Sequence, residues 1–399
     1  MKKTFLKKHN IYMAIVVIII LSTVFIAGCV NVNNNVNAPE FGTQTESETL
    51  KETAPDTFTE PETEMSTTEA EPESETDEPE LPYINPLTGE KTAIDYSNIR
   101  PVAVMLNTIK PALPQSGNSK ADILIEMAEE GGITRIMGVY QDITGIGTIG
   151  TVRSTREYYF AWTRSFDAIM VHAGGDSWVL NEIKASGYTT VDCLRNAGRA
   201  FWRDPERLSY LSMEHTLYTS SDNLQNWIAG SGIPTTFTKQ NNTKLSFVDV
   251  VDENVMTEPA EAVKVTFSGY KSTTFKYNEE KNKYDVFFWD NEPYMDAAAG
   301  TQVAVTNVIV IPVPNWTAVD AWGKVRQKYD LTGGIGYYFN GGKYTTINWK
   351  KGDFNKPGEY DSPLVLTTMD GKNLELATGK TYICVVSNVY GPVITNYIN

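Results

Sequence analysis

Residues 121–178 read ADILIEMAEEGGITRIMGVYQDITGIGTIGTVRSTREYYFAWTRSFDAIMVHAGGDSW, and the reading of this stretch decides the fold. Three apolar, β-prone runs, Ile133–Tyr140, Ile146–Val152 and Ala168–Val171, each end in polar or glycine-rich residues. Short apolar runs bounded by turn residues are the pattern of buried strands. Arg135, Arg153, Arg156, His172 and Asp176 fall at or near the ends of those runs. Ligands of open α/β sheets bind in the crevice beyond the strand ends. The stretch therefore predicts both the core of a sheet and the rim of a site.

Working outward, Pro101–Asn107 is another short apolar run ending in a polar residue, and reads as a strand. After a loop with Pro111, Pro114 and Gly117, Ser119 or Asn118 can cap a helix over Lys120–Ala128, ended by Gly131 and Gly132. On such a helix Glu126, Glu129 and Glu130 share a face, either solvated or bridged to Arg135 and Arg153. Further helices are expected over Tyr158–Phe166, over Ser177–Ser186 with Gly187 as its stop, and from Ser221 or Asp222 to Ile228. Strands alternating with helices predict an α/β or α+β domain with a mixed sheet over 81–235. Residues 236–257 read as a linker. Past Glu258 the pattern is strands and hairpins: Val263–Phe267, Thr274–Tyr277 with Tyr284–Trp289, Val303–Val313, Gly336–Phe339 with Lys343–Trp349, Leu364–Thr368 with Leu374–Leu376, and Thr381–Val386. This predicts an all-β domain over 258–399, of sandwich or barrel type.

The amino end is of another kind. Residues 1–29 carry Lys2, Lys3, Lys7 and Lys8 ahead of the apolar run Ile11–Ala27, the layout of a secretion signal, though the run could also just span a bilayer. Its end, Ile26-Ala27-Gly28-Cys29, resembles the bacterial lipobox. That resemblance implies cleavage before Cys29, a diacylglycerol thioether on its sulfur, and anchoring to the outer face of the cytoplasmic membrane. Residues 30–80 are rich in Asn, Thr, Ser, Glu and Pro and read as a disordered acidic tether. Residues 40–80 hold fifteen acids and one lysine, so of the formal charge of −15 only −5 falls on residues 81–399. No bulk basic footprint is present, which argues against a nucleic-acid partner. With Cys29 taken by lipid, Cys193 and Cys384 are expected to be separate thiols; no CxxC or His/Cys cluster predicts a metal, and no motif predicts a cofactor.

Among residues able to carry chemistry, Arg153-Ser154-Thr155-Arg156 is the sharpest group. Two guanidiniums at a strand end before a helix suit a phosphate or carboxylate, because arginine offers planar paired donors and keeps its charge. Pairing of both with local acids is the alternative. His172, in His172-Ala173-Gly174-Gly175-Asp176, is the candidate general acid or base, and Gly174 and Gly175 would let backbone approach a ligand. His215, beside another polar turn, is the only other histidine past the leader.

A family resemblance is carried by Arg100–Asn107, Pro114–Gly117, Ala121–Ile123, Glu130–Arg135, Ile149-Gly150, Val152–Ser154 with Arg156, Val171–Gly175 and Leu217–Ser220. Tyr337–Asn340, Gly342-Lys343, Trp349-Lys350, Asp370–Lys372 and Gly379–Thr381 extend it. Together these resemble the YerB-like lipoproteins, defined by a conserved domain of unknown function. The resemblance implies a two-part lipoprotein of Gram-positive-type bacteria and no established activity. Thr151, Thr155 and Glu157 stand where that pattern would have Pro, Ala and Pro. A fainter likeness, through Arg153, Arg156 and the Gly174-Gly175 turn, is to the LytR–CpsA–Psr enzymes of cell-wall assembly, whose pocket holds a polyprenyl pyrophosphate.

The expectation is a lipid-anchored, extracellular protein that binds a phosphate-bearing envelope ligand. Arg153, Arg156, Arg135, His172, Gly174, Gly175, Asp176 and His215 would form the site. Phosphoryl or glycosyl-phosphate transfer at the same place is one alternative. Docking of another envelope protein on a patch of Trp316, Trp322 and Trp349 is a second.

Overall fold

Eleven strands form one main sheet. The computed structural model describes residues 81–399, apart from 241, 290, 354, 355, 357, 358, 390, 391 and 395–399. The leader with Cys29 and the tether lie outside the described residues. In chain order the strands are β1 (Val102–Asn107), β2 (Ile123–Ala128), β3 (Thr134–Tyr140), β4 (Ile169–His172), β5 (Val191–Asp192), β6 (Glu258–Pro259), β7 (Asn307–Val313), β8 (Gly333–Asn340), β9 (Lys343–Lys350), β10 (Val365–Thr368) and β11 (Thr381–Ser387). Across the sheet they run β6-β9-β8-β7-β11-β2-β3-β1-β4-β5, with β10 also on β9. The sheet is mixed: β7, β11 and β2 are parallel, β2, β3 and β1 antiparallel, and β1, β4 and β5 parallel again.

Apolar side chains on both faces of each central strand explain why the sheet is covered on both sides. Val102, Val104 and Leu106 of β1 face one core, while Ala103 and Met105 face the other. Against the first face packs a six-stranded sheet centred on Ala262–Thr266, Ser272–Asn278 and Lys283–Phe288, contributing Val263, Phe275, Val286 and Phe288. The second face is covered by α1 (Glu157–Ser165), which buries Tyr158, Tyr159, Phe160 and Trp162. Each such aliphatic or aromatic side chain contributes roughly 1.5–3 kcal/mol on full burial. α2 (Ser177–Ser186) starts on Asp176, whose carboxylate accepts from the Trp178 and Val179 amides, and stops at Gly187 in the left-handed conformation. α3 (Ser221–Ser231) is capped by Ser220 and follows a small sheet of Thr148–Gly150, Leu217–Ser220 and Phe201–Arg203. The amino-terminal part is thus a mixed sheet with helices, and the carboxy-terminal part is rich in strands.

Several expectations are corrected. Residues Lys120–Ala128 are not a helix; a single 3-10 turn, Asn118–Lys120, leads into β2. Glu126 points into the protein, fully buried, where it accepts hydrogen bonds from Thr134, Thr273 and Tyr382 and pairs with Lys271 at 3.2 Å. Burial pulls the Lys271 ammonium down to about 8 against the opposing pull of Glu126. The run Ile146–Val152 yields only the short strand Thr148–Gly150. The runs Leu364–Thr368 and Leu374–Leu376 meet across their turn, with an antiparallel bridge of Thr367 to Asn373 and the Leu374 amide donating to the Leu366 carbonyl at 3.0 Å; beyond it β10 joins β9, and Glu375–Ala377 pairs with Ser246–Val248, a strand inside the stretch expected as a linker. Trp349 is buried in the core, whereas Trp316 and Trp322 are exposed, so the three do not form one patch. Cys193 and Cys384 are free thiols.

Candidate functional site

Beyond β4 the chain segments 153–155 and 173–175 run side by side. The Ala173 amide donates to the Arg153 carbonyl at 3.0 Å, and the Thr155 amide to the Gly174 carbonyl at 2.9 Å. Gly174 needs its positive φ of 70°, and a Cβ at Gly175 would stand 2.5 Å from Val179. The two glycines therefore serve close packing of this crossing.

The arginines divide. Arg156 is buried and held by Glu130 at 2.6 Å, Glu129 at 3.1 Å and Asp176 at 3.5 Å. Burial pulls its guanidinium down, but Glu129 and the bond to Glu130 outweigh that and hold it above its ordinary value. Arg135 is buried too, 2.7 Å from Glu129 and donating to the Ser154 carbonyl at 2.6 Å. Burial brings it down to about 10, with Glu129 opposing. Burial likewise pushes the Glu129 carboxyl up, against the downward pull of Arg135 and Arg156. These two guanidiniums are thus spent on internal carboxylates.

Arg153 differs. Its only ion pair among the described residues is with Glu214 at 3.5 Å, and the two side chains are 24 % and 53 % exposed. His172 is fully buried, with Nδ1 2.9 Å from the Gly174 carbonyl and Nε2 3.0 Å from the Thr190 hydroxyl. Burial draws it below its ordinary 6.5, opposed by Asp192. A neutral ring donating to Gly174 and accepting from Thr190 satisfies both nitrogens. His215 accepts from the Asn107 amide at 3.0 Å, and burial and Arg153 lower it as well. Asp176 caps α2 and faces Arg156.

Three hollows open at the carboxyl ends of β4 and β5. Their volumes are about 660, 460 and 190 Å³. The first two share Leu180, Arg195 and Trp322, and the second and third share Ser154, Ala173 and Leu194, so they form one groove. Arg153 and Arg203 line one end, Arg195 the middle and Lys184 the far end. Arg195 pairs with the buried Asp192 at 3.3 Å while staying 58 % exposed. Arg203 donates to the Met213 carbonyl. Sequence reading missed Arg195, Arg203, Lys184 and the contribution of Trp322 here. The one available signal was the basic, aromatic stretch around Phe201-Trp202-Arg203. Chemically the groove can hold an anion: half-open guanidiniums, weakly paired, in a hollow of ligand size. Among the described residues no group of three or more His, Cys, Asp or Glu side chains could hold a metal ion.

Comparison with known proteins gives the family. Residues 87–234 match the model of the "Protein of unknown function (DUF3048) N-terminal domain", and residues 263–383 that of its C-terminal domain. The chain belongs to the DUF3048 family. A relative named "Putative lipoprotein YerB", from Bacillus subtilis (strain 168), is 31 % identical over 307 residues, covering 76 % of this chain and 86 % of the relative. The crystal structure of the YerB protein from Bacillus subtilis superposes with a TM-score of 0.66 at 29 % identity, covering 79 % of this chain and 100 % of that one. DUF3048 membership thus places the chain in an uncharacterised family that includes a lipoprotein. Among the described residues no helix is long and apolar enough to cross a membrane.

Proposed function

We propose that this chain is an extracellular lipoprotein, anchored through lipid on Cys29, whose groove binds a phosphate-bearing anion of the envelope. The ligand-facing cations are Arg153, Arg195 and Arg203, while Arg135 and Arg156, with Gly174, Gly175, Asp176, His172 and His215, build the wall behind them. The observation that carries this reading is the weak pairing of the groove arginines: Arg153 and Arg195 stay 24 % and 58 % exposed beside single carboxylates. The Arg153–Glu214 pair, open on both sides, is worth little in water and an incoming phosphate can displace it, while Arg195 can keep the buried Asp192 and still offer its exposed side to the anion.

Titration of pyrophosphate onto the full-length chain in detergent tests the groove. Wild type should bind, and Arg153→Ala with Arg195→Ala should weaken binding by about 100-fold, the loss of two charge-assisted contacts. Equal binding by the double variant refutes the assignment. Mass spectrometry of the mature amino terminus should find a diacylglyceryl thioether on Cys29; an unmodified Cys29 rules out the anchor.

A further inference from the structure

The strands Asn315–Val319 and Val325–Tyr329 form a two-stranded hairpin apart from the main sheet. Its turn is fixed at many points. Asp320 accepts from the Trp322 and Lys324 amides, both at 2.9 Å, and pairs with Arg326 at 3.0 Å. The Ala321 amide donates to the Ser177 hydroxyl at 3.0 Å, on the first residue of α2. Arg326 reaches Glu130 at 3.4 Å, and Lys328 pairs with Glu157 and sits 3.9 Å over the Trp178 ring. On this rigid turn Trp322 is 55 % exposed, and it lines both larger hollows. A lone exposed apolar side chain is ordinary. An indole held on a hydrogen-bonded turn at the lip of a hollow with both polar and apolar lining is a preformed surface for a ring.

The rest of the lining says what kind of ring. Asn181 and Thr189 are exposed, line the larger hollow, and spend no side-chain hydrogen bond on the described residues. Lys184 and Arg195 flank them, and Leu180, Ile183, Tyr188 and Ala321 supply apolar surface beside them. A wholly apolar ligand would leave those polar groups unpaired. Inorganic phosphate alone would leave most of the 660 Å³ unfilled. A hexose carries a C–H face for an indole and hydroxyls for an amide and a hydroxyl, and its phosphate suits a guanidinium.

We propose that the larger hollow is the sugar subsite of a glycosyl phosphate, with Trp322 as its stacking platform, Asn181 and Thr189 as hydroxyl partners and Arg195 at the phosphate. This rests on the reading of the groove as an anion site.

The test titrates the full-length chain in detergent with a hexose 1-phosphate, with inorganic phosphate, and with the hexose alone. Vesicles bearing the hexosyl phosphate as a lipid headgroup form a further arm, and stronger capture there than of the soluble compound assigns a membrane source. The hexose 1-phosphate should bind about ten-fold tighter than phosphate, the margin of one good aromatic contact. Trp322→Ala should erase that margin, and Trp322→Phe should restore part of it. Equal affinity for phosphate and hexose 1-phosphate in wild type, or a margin that survives Trp322→Ala, overturns the sugar subsite while leaving the anion site standing. If no phosphate compound binds in any form, both fail together.

Discussion

Arg156 is enclosed by Glu129, Glu130 and Asp176, whereas Arg153, three residues earlier on the same segment, keeps 24 % of its side chain in solvent beside Glu214. Both stand at the end of an apolar run and look alike in sequence. Their environments separate them. A buried guanidinium needs its carboxylates to offset lost hydration, so it is committed to the fold. A half-open one beside an exposed acid gains little from that acid and stays available. The groove is therefore built of two layers, an inner ion cluster that sets the wall and outer cations that face the hollow.

Removing one partner from each layer should break the symmetry between them. Glu129→Ala leaves Arg135 and Arg156 short of a buried partner and should destabilise the protein by about 3–5 kcal/mol in denaturant unfolding. Glu214→Ala should cost less than about 1 kcal/mol. Similar losses at both positions would mean that the two arginines do the same work.

The buried histidine sharpens the same contrast through pH. The folded pKa of His172 lies below its ordinary 6.5, so between the two values the unfolded chain holds a proton that the folded one does not. Stability should be full above about 6.5, fall as pH drops below it by up to about 1.4 kcal/mol per unit, and level off under the folded value. His215 shifts the same way, so His172→Gln should remove only part of the slope in unfolding midpoints taken between pH 5 and 8. An unchanged slope in that variant would show that His172 is not the group responsible.

Much of the local structure was legible. β1, β3, β4, α1 and α2, with the Gly187 stop, follow from apolar runs and turn residues alone, whereas Asp176, expected at the ligand, caps α2 instead. β2 was misread because Ser119 or Asn118 and the Gly131-Gly132 pair resemble the start and stop of a helix, while the partner that lets Glu126 sit inside a sheet, Lys271, lies far along the chain. The same distance hid the site. Arginines at strand ends could be seen, but which of them would meet a carboxylate could not, since Glu129 reaches Arg135 and Arg156 only after β2 and β3 have paired. Trp322 enters the groove from a hairpin more than a hundred residues downstream, and no pattern near Arg153 announces it.

β11, drawn from almost the last residues described, lies between β7 and β2 in the middle of the main sheet. Neither half of the sequence holds a complete set of neighbours. A chain made amino end first must therefore keep β2 with one side unpaired until Thr381–Ser387 has arrived, and a stop codon before Thr381 would remove the keystone rather than trim an edge.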